Sequence, residues 1–379
     1  MIAGGGLSGL SLAAQLASAT SVGAGWRDRR VLLVDDRQAR PSAVCWGFWS
    51  ARRGLLDGAV SRSYARVRIH AGGASRVVPL GRYRYHVVRR TDLSRVVHGL
   101  LDRCPGFQVM DGEVESVRDN GEVLVSGRTV RGGWVFDSVS PPPAGTPLDA
   151  RLAFTGWEVR CAEPVFDPTT PVLFDFRTPR AAGSRFVYVL PDDRYRALVE
   201  LTEFVPRRTR PPAAADRRAA LAGYLSDVLH ARDYEILRTE SAVLPLRTRP
   251  APRGHARVRA IGAAAGLVKA STGYAYQRIQ RDSAAVAGSL IRYGHPFAVA
   301  PPPRRYRLLD AVLLDVLDAD PARLELAFAR LFSAFPAEFV LRFLDEDSGV
   351  RDDLRLMASL PPLPYLRAAL HVARRAPSL

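Results

Sequence analysis

The chain has 379 residues, of which 47% are hydrophobic and 24% are charged; this composition is typical of a folded soluble protein, and the length predicts more than one domain. The formal net charge is +16, but the arginines are scattered rather than clustered, so we expect no nucleic-acid partner and take the charge as support for contact with anionic lipid headgroups. Three widely spaced cysteines and seven histidines without ligand spacing predict neither a disulfide framework nor a metal site.

The chain opens with a glycine-rich turn between a short strand and a helix. Gly4, Gly6 and Gly9 form a G-x-G-x-x-G pattern, and the apolar strand "RRVLLVDDR" that follows ends at Asp35 and Asp36. In such a unit the glycines permit a tight turn, close approach to a pyrophosphate and close packing of helix on strand. We choose Asp35 over Asp36 as the acid that accepts a ribose hydroxyl, because it directly follows the apolar run. The pattern predicts dinucleotide binding.

The middle of the chain is rich in strand patterns. After an extended stretch, a helix is predicted to begin near Thr91, and residues 107–137 alternate short strands with turns, as in a meander. Beyond the breaker "PPPAGTP" (141–147), strand patterns resume in "FTGWEVRC", "PVLFDFRT", "RFVYVLP" and "YRALVELTEF". These segments predict a sheet that covers a substrate.

The last part of the chain returns to the first domain and then becomes helical. A strand and a glycine-rich loop precede a long helix predicted to begin near Thr272, and from residue 305 onward apolar residues recur at helical spacing. We therefore predict a discontinuous cofactor-binding domain (1–60, 86–140 and 255–300), a substrate-binding domain (61–85 and 141–254) and a helical C-terminal region (301–379).

Seven stretches together resemble one family, the FAD-dependent lycopene β-cyclases, which are the soluble-type carotenoid cyclases. They are "GGGLSGLSLA" (4–13), "CWGFW" (45–49), "FDFRTP" (174–179), "FVYVLP" (186–191), "ALVELT" (197–202), "IGAAAGLVKASTGYAYQRIQ" (261–280) and "FLDEDSGVRDDLRLMASLPPLPYLRAAL" (343–370). The resemblance implies an α/β fold in which an FAD-binding Rossmann-like domain of the p-hydroxybenzoate hydroxylase type carries an inserted substrate-binding β-sheet and a helical C-terminal region.

The resemblance also implies an activity. Lycopene, a linear polyene with ψ-ends, would be converted to β-ring carotenoids (γ- or β-carotene) by a proton-initiated cyclisation without net redox change. The family requires reduced FAD, for which NADPH is the expected reductant. The residues leave three alternatives open: cyclisation of another isoprenoid, a redox flavoprotein such as a hydroxylase or prenyl reductase, and a flavin-free scaffold that binds a carotenoid or lipid.

Two glutamates are the candidates for moving protons. Strand alternation places Glu200 on one face with Leu198 and Phe204, where desolvation would raise its pKa, and Glu203 on the other face. Glu200 also matches the catalytic glutamate of the family, although the strand pattern alone favours a surface carboxylate on an edge strand. Glu240, in "TESAVLPL", is a second candidate.

The substrate contacts are predicted from the resemblance and from side-chain chemistry. Trp46, Phe48 and Trp49 could line the polyene site and stabilise a cation through their ring faces, or form an ordinary aromatic core. Asp175 lies in a family motif, but it could instead pair with Arg177.

The cofactor contacts are expected from the glycine turn, one acid, one arginine and the later loop: Gly4, Gly6, Leu7, Gly9, Asp35, Arg90, Gly266, Leu267 and Lys269. Arg90 could touch the pyrophosphate or lie on a solvated face. Lys269 is the only lysine in the chain. We expect it to help hold the reduced flavin anion, because its loop should point at the pyrimidine edge of the ring; chance survival of one lysine codon is the alternative.

The expected cellular location of the protein rests on what the sequence lacks and on its C-terminal helices. No apolar run reaches the roughly 18 residues of a membrane-spanning helix, and no signal peptide is visible. We expect a cytoplasmic protein whose arginine-rich helices (305–379) make peripheral membrane contact, although they could merely close the substrate domain. The pattern does not indicate an oligomeric state.

Overall fold

The computed structural model of the chain describes residues 1–20, 29–36, 44–143, 145–179, 183–249, 253–254 and 256–375. Its strands are, in chain order, β1 (Ile2–Ala3), β2 (Val31–Asp35), β3 (Cys45–Ser50), β4 (Val60–Tyr64), β5 (Arg66–Ala71), β6 (Ala74–Pro79), β7 (Arg84–Arg89), β8 (Phe107–Asp111), β9 (Val114–Val117), β10 (Glu122–Val125), β11 (Arg128–Arg131), β12 (Val135–Asp137), β13 (Ala150–Cys161), β14 (Val172–Asp175), β15 (Ser184–Pro191), β16 (Arg196–Pro206), β17 (Tyr234–Leu246) and β18 (Val258–Ala260). The helices are α1 (Leu7–Thr20), α2 (Arg90–Leu101), α3 (Ala214–Asp227), α4 (Tyr276–Tyr293), α5 (Arg304–Ala319), α6 (Arg323–Ala334), α7 (Ala337–Leu344), α8 (Val350–Ala358) and α9 (Pro362–Arg375).

A five-stranded parallel sheet forms the first part of the fold, in the order β18-β12-β1-β2-β8. Its central strands β1 and β2 are apolar, as expected for parallel strands covered on both faces. Helices α1, α2 and α4 bury their apolar stripes in one core with this sheet, through side chains such as Leu10, Leu93 and Val286. Residues 4–6 connect the carboxyl end of β1 to the first turn of α1.

The meander is shorter than the sequence pattern predicts. Only β9, β10 and β11 form an antiparallel three-stranded sheet, whereas β8 and β12 join the parallel sheet. Val123 and Val125 of β10 pack against Val34 and Val135 of the parallel strands, which explains why the two sheets associate.

A seven-stranded sheet forms the second part of the fold, in the order β17-β13-β16-β15-β14-β5-β6. All neighbours are antiparallel except β14 and β5. One face packs against α3, whose Leu221, Tyr224 and Leu225 are buried on it. The other face is turned toward the C-terminal helices and toward a small antiparallel sheet in the order β3-β7-β4.

The long helix after the glycine-rich loop begins at Tyr276, later than the predicted Thr272. The loop turns tightly first: the carbonyl oxygen of Lys269 accepts hydrogen bonds from the amides of Thr272 and Gly273, and Gly273 has a φ of +77°. A left-handed residue cannot lie inside an α-helix, so α4 starts only after it. Helices α5 to α9 follow. Within the described part of the chain, no helix combines the length and hydrophobicity that crossing a bilayer requires.

Candidate functional site

Two carboxyl groups meet on the face of the seven-stranded sheet that is turned toward the C-terminal helices and the small sheet. Strand β13 lies between β16 and β17, and Gly156 of β13 is directly opposite Glu200 on one side and Glu240 on the other. Tyr188 of β15 is opposite Glu200 on its far side. Residues directly opposite one another point to the same face, so the structure brings the two predicted proton-handling residues together.

Gly156 creates the space in which the two side chains converge. A Cβ atom at this position would lie 3.0 Å from both Cγ and Oε1 of Glu240 and 3.2 Å from a methyl carbon of Leu198. Glycine inside a strand commonly marks such a close approach. The glycine is therefore part of the site, although it carries no functional group.

The two carboxyl groups hydrogen-bond to each other, and the hydroxyl of Thr202 donates to Oε1 of Glu200 at 3.1 Å. Burial raises the pKa of Glu200. Burial and then the neighbouring charge of Glu200 raise the pKa of Glu240 to about 9. Because two adjacent carboxylates repel each other, the pair retains a proton at neutral pH. Such a pair can act as a general acid and, once it has donated, as a base.

Aromatic and aliphatic side chains enclose the pair. Tyr85 of β7 and Tyr274 of the loop before α4 bring their hydroxyl oxygens to 3.4 Å from each other. Tyr274 also hydrogen-bonds with Tyr188 and packs its ring 4.5 Å from that of Trp49. Burial raises the pKa of all three tyrosines well above the usual value, so their hydroxyls stay neutral. Leu198 completes this wall beside the carboxyl pair.

Ion pairs form the outer edge of the pocket. Asp192 pairs with Arg89 and, at 3.6 Å, with Arg62; Arg238 pairs with Glu158. Within this edge the pocket beside Glu240 has a volume of about 20 Å³, which is room for about one water molecule. A ring of six carbon atoms can enter only if the surrounding side chains move.

Strand β3 connects the carboxyl pair to the first part of the fold. The amide of Cys45 donates a hydrogen bond to the carboxyl group of Glu240. Burial, followed by the charge of Glu240, raises the pKa of the Cys45 thiol to about 12. This strand is thus in direct contact with the proton-carrying residues.

The tryptophan-rich segment divides between two cores. Trp49 belongs to the core that lines the face of the carboxyl pair, and its indole N–H donates to the carbonyl oxygen of Leu341 at 3.1 Å. Phe48 points to the opposite side of β3, where its ring stacks on Tyr276 at 4.0 Å, and Trp46 packs on that side as well. Strand alternation thus places Trp46 and Phe48 on the opposite side of β3 from Trp49, away from the carboxyl pair. That these rings line a substrate site stays a prediction.

Asp175 lies on the opposite face of the seven-stranded sheet from the carboxyl pair. Its carboxylate is fully buried, accepts hydrogen bonds from Arg177 and from the hydroxyl of Tyr224 at 2.7 Å, and lies opposite Val187 on the face covered by α3. Despite burial, these donors lower its pKa. The alternative reading, a structural pair with Arg177, is the one that the geometry supports.

The glycine turn fits the phosphate-binding end of a dinucleotide. At Gly9 a Cβ atom would lie 1.9 Å from the carbonyl oxygen of Gly4, so helix and turn touch without side chains between them. Asp35 ends β2 and is 1% exposed; Nη2 of Arg90 donates to both of its carboxylate oxygens at 3.2 Å. A carboxylate has further lone pairs with which to accept a ribose hydroxyl. Arg90 therefore positions Asp35 rather than reaching the position predicted for a pyrophosphate.

The later loop packs against the same helix terminus. Gly262 lies against the hydroxyl oxygen of Ser8 in the first turn of α1, and the amide of Leu267 donates to the carbonyl oxygen of Gly262 at 3.1 Å. Gly266, with a φ of +71°, completes this turn. Gly4, Gly6, Leu7 and Gly9 are thus brought near Gly266 and Leu267, and these residues fit the FAD that the sequence predicts.

Lys269 makes two buried ion pairs. The residue is 5% exposed, and its ammonium group lies 2.8 Å from Oδ1 of Asp310 in α5 and 3.0 Å from Oε1 of Glu346, which follows α7. Glu346 also pairs with Arg278 at 3.4 Å. Two carboxylates compensate the charge of the lysine inside the protein. These contacts fasten the loop to the C-terminal helices; the expected contact with the flavin stays a prediction.

Several site residues escaped prediction. Gly156, Tyr85, Tyr188 and Tyr274 were not singled out by the sequence. A glycine within "FTGWEVRC" is a recognisable sign of close backbone approach, so Gly156 could have been found. The tyrosines come from three separate elements, and nothing in the local pattern indicates that their hydroxyl groups meet.

Comparison with known proteins identifies the family and one relative of this chain. A family model described as lycopene cyclase protein matches residues 1–370. A lycopene β-cyclase of Pantoea ananas is 25% identical over 359 residues, which cover 90% of each chain.

Solved structures give the fold. Similar structures include a geranylgeranyl bacteriochlorophyll reductase-like protein of Thermoplasma acidophilum (TM-score 0.63, 13% identity, 97% of each chain) and a flavin-dependent brominase (TM-score 0.60, 14% identity, 99% of this chain and 98% of that one). A p-nitrophenol 4-monooxygenase of Pseudomonas putida has a TM-score of 0.55 at 17% identity, over 98% and 96% of the two chains. These likenesses confirm the predicted fold class, a Rossmann-like flavoprotein fold with an inserted sheet and a helical C-terminal region. Together with the match along residues 1–370, they lead to one conclusion: the chain belongs to the lycopene cyclase family.

Proposed function

We propose that the protein is an FAD-dependent lycopene β-cyclase, which closes the ψ-ends of lycopene into β-rings and so forms γ- or β-carotene. One observation carries the proposal: Glu200 and Glu240 flank Gly156 on one face of the seven-stranded sheet, in a chain of this family, and burial raises the pKa of both carboxyl groups. The relative from Pantoea ananas, named lycopene β-cyclase, supports the substrate.

The carboxyl pair accounts for a cyclisation without net redox change. It donates one proton to the terminal isoprene unit of the polyene, which leaves a carbocation on the substrate and added negative charge on the pair. The neighbouring double bond attacks the cation and closes the ring. The ring then loses a proton to the pair, so that the protein returns to its starting state and the product has the mass of the substrate.

The wall of the site protects the cation. Trp49, Tyr85, Tyr188 and Tyr274 exclude water, which would otherwise add to the cation. Their ring faces attract positive charge. Because burial keeps the pKa of the tyrosine hydroxyls high, these groups do not ionise and do not become nucleophiles.

The proposed cofactor is FAD in its reduced form, with NADPH as the reductant. When bound, reduced flavin would supply negative charge near the developing cation. On the protein side, the turn at Gly4, Gly6 and Gly9 would hold the pyrophosphate and Asp35 the ribose, while Arg90 keeps Asp35 oriented. The proposed setting is cytoplasmic, beside the membrane in which the polyene dissolves.

Activity is tested by anaerobic incubation of the protein with lycopene in liposomes, FAD and NADPH, followed by chromatography with mass detection. We expect a product of unchanged mass and shortened chromophore. Glu200→Gln should lower kcat about 100-fold or more, as expected when a general acid is lost. Glu235→Gln, on the same strand as Glu240 but exposed, is the control. Unconverted lycopene with wild-type protein that has bound FAD would reject the proposed substrate.

The cofactor is tested separately. In Gly9→Val, the new side chain would strike the carbonyl oxygen of Gly4 and open the turn. We expect the variant to elute from gel filtration without flavin absorbance, whereas Gly133→Ala, where a Cβ meets nothing within 4 Å, keeps it. Retention of flavin by the valine variant would argue against cofactor binding at this turn.

A further inference from the structure

Charged and apolar side chains occupy opposite sides of the carboxyl pair. Two residues beyond Gly156 along β13, Glu158 is directly opposite Arg238 of β17, whose guanidinium group donates to its carboxylate at 2.8 Å. Two residues in the other direction, Phe154 is opposite Ala242. Positions two apart share one face of a strand, so the ion pair and the carboxyl pair lie side by side on the same face of the sheet.

A small pocket adjoins both Glu240 and this ion pair. Its volume of about 20 Å³ has room for about one water molecule, and the polar atoms of Glu158, Arg238 and Glu240 supply the hydrogen-bond partners that a buried water needs. At the edge of the pocket, the side chains of Arg62 and Arg238 are 42% and 33% exposed. A water molecule in this pocket would therefore have Glu240 on one side and partly exposed charged groups on the other.

The two members of the carboxyl pair are placed differently relative to the pocket. Glu240 lines it and belongs to β17, which is the edge strand of the seven-stranded sheet. Glu200 lies farther in, on the interior strand β16, where Tyr188 of the aromatic wall is its opposite neighbour. The pair thus has one member toward the pocket and one toward the wall that encloses the site.

We propose that Glu240 exchanges the proton of the pair with solvent through this pocket, and that Glu200 passes the proton to the substrate. As Glu200 protonates the substrate, the carboxyl group of Glu240 gives its proton to the carboxylate of Glu200 and takes another from the water in the pocket, which bulk solvent replenishes. The proton released by the ring leaves through the same groups in reverse order, so each cycle takes up one proton and releases one.

Glu158 and Arg238 are positioning residues in this scheme. They hold the water against Glu240 and keep the edge of the pocket polar, without contact to the substrate. The inference rests on the proposed function in one respect, that the acceptor of the proton is the polyene. The exchange of the proton between the carboxyl pair and solvent requires no substrate.

The exchange is measured first, on the full-length protein without lycopene. The protein is diluted rapidly into D2O, and infrared spectroscopy follows the protonated carboxyl band, which is assigned by its loss in Glu200→Gln with Glu240→Gln. We expect this band to shift far faster than the amides of β13 exchange, because those amides require local opening of the sheet. A carboxyl band that exchanges in step with the β13 amides would overturn the proposal, whatever the variants show.

Two double variants then test the ion pair in opposite directions. Glu158→Met with Arg238→Met keeps the bulk but makes the pocket edge apolar, so exchange of the band should slow about tenfold or more, since it then requires local opening. Glu158→Ala with Arg238→Ala widens the edge and should not slow the exchange. Arg160→Met with Glu235→Met is the matched control, because this ion pair joins the same two strands at 3.3 Å outside the pocket.

Circular dichroism verifies that each variant remains folded. Exchange at the wild-type rate in the methionine variant would overturn the pocket as the route. Slowing shared by the methionine variant, the alanine variant and the control would contradict the proposal as well, since it would show a structural effect rather than a change in the polarity of the pocket.

The second measurement is turnover in D2O, with lycopene, FAD and NADPH under anaerobic conditions and mass detection of the product. Wild-type protein should place one deuterium atom in each ring, however many turnovers it has made. In the methionine variant, the proton released by one ring is reused for the next, so the deuterium content per ring should decline as turnovers accumulate. A decline with wild-type protein, or a constant content with the methionine variant, would refute the exchange route. Unconverted lycopene bears on the proposed function alone, because the infrared measurement still decides the exchange.

Discussion

At the scale of single residues, the chemistry of the site depends on a side chain that is missing. Gly156 separates two acid-bearing strands, and only the absence of its Cβ lets Glu200 and Glu240 hydrogen-bond across it. Proximity and burial then keep a proton between them, which an isolated surface glutamate would release far below neutral pH. The proton-donating group thus depends on three residues together: Gly156, Glu200 and Glu240.

The pair makes folding stability depend on pH. Burial raises the pKa of Glu240 from 4.5 to about 9 in the folded protein. Binding of this proton therefore stabilises the folded state. The stabilisation is complete below the pKa of the unfolded chain and is lost as the pH rises toward 9. We expect the Tm of wild-type protein to fall by about 5 °C between pH 6 and 9 through this pair. Glu240→Gln should show a flatter profile and unfold at a higher temperature than wild type at pH 9. Parallel profiles in differential scanning calorimetry would contradict the shift.

Gly156→Ala should separate the carboxyl groups without unfolding the protein. The added methyl group would displace Glu240, so we expect its pKa to drop toward the normal range and kcat to fall at least about tenfold. Infrared titration of the protonated carboxyl band measures the first effect. Gly133→Ala is the control, and an unchanged carboxyl titration in Gly156→Ala would remove the glycine from the site.

Part of the site could be predicted from residue patterns. Strand alternation gave the correct faces for Glu200 and for Glu203, which is buried against Arg185 on the opposite face. The partnership of Glu200 with Glu240 could not be predicted, because about forty residues separate them and only the sheet order places one strand between them. The faces on which Asp175 and Phe48 lie could not be predicted for the same reason, because each is set by neighbours in space.

At the scale of elements, the loop before α4 is held by a buried cluster of charges. Lys269 contacts Asp310 and Glu346, so one side chain joins the loop, α5 and the segment after α7. Lysine reaches both carboxylates with a compact ammonium group, whereas the planar guanidinium of arginine would need more room. This explains the single lysine of an arginine-rich chain better than a flavin contact does.

Lys269→Met should destabilise the protein strongly. Removal of the cation leaves two buried carboxylates, and breaking such a pair costs about 3–5 kcal/mol of unfolding free energy. Urea denaturation measures the loss. Adding Asp310→Asn should restore part of the stability, because it removes one unpaired charge. Additive losses in the double variant would show that the two residues do not interact.

At the scale of the whole molecule, the predicted fold class is confirmed. The strand patterns after residue 147 predicted the sheet that carries the two acids. The small sheet β3-β7-β4 was not predicted, since β4 alone reads like any other short strand. Its pairing with β7 is long-range, and no local pattern in the sequence encodes it.

This small sheet carries the strand whose backbone touches the acid. The amide of Cys45 donates to Glu240 and lowers its pKa, against the larger effect of burial. On its other face, the same strand packs through Phe48 into the core that the parallel sheet shares with α1, α2 and α4. A shift of β3 would lengthen this hydrogen bond and make Glu240 a weaker acid.

The pKa of Glu240 therefore depends on the position of β3 between the parallel-sheet part of the fold and the seven-stranded sheet. We expect the carboxyl band to titrate at a lower pH with FAD bound than without it, and identical titrations would refute this. On this expectation the carboxyl pair would donate its proton more readily when FAD is bound, and a polyene that binds before the cofactor would leave without being protonated.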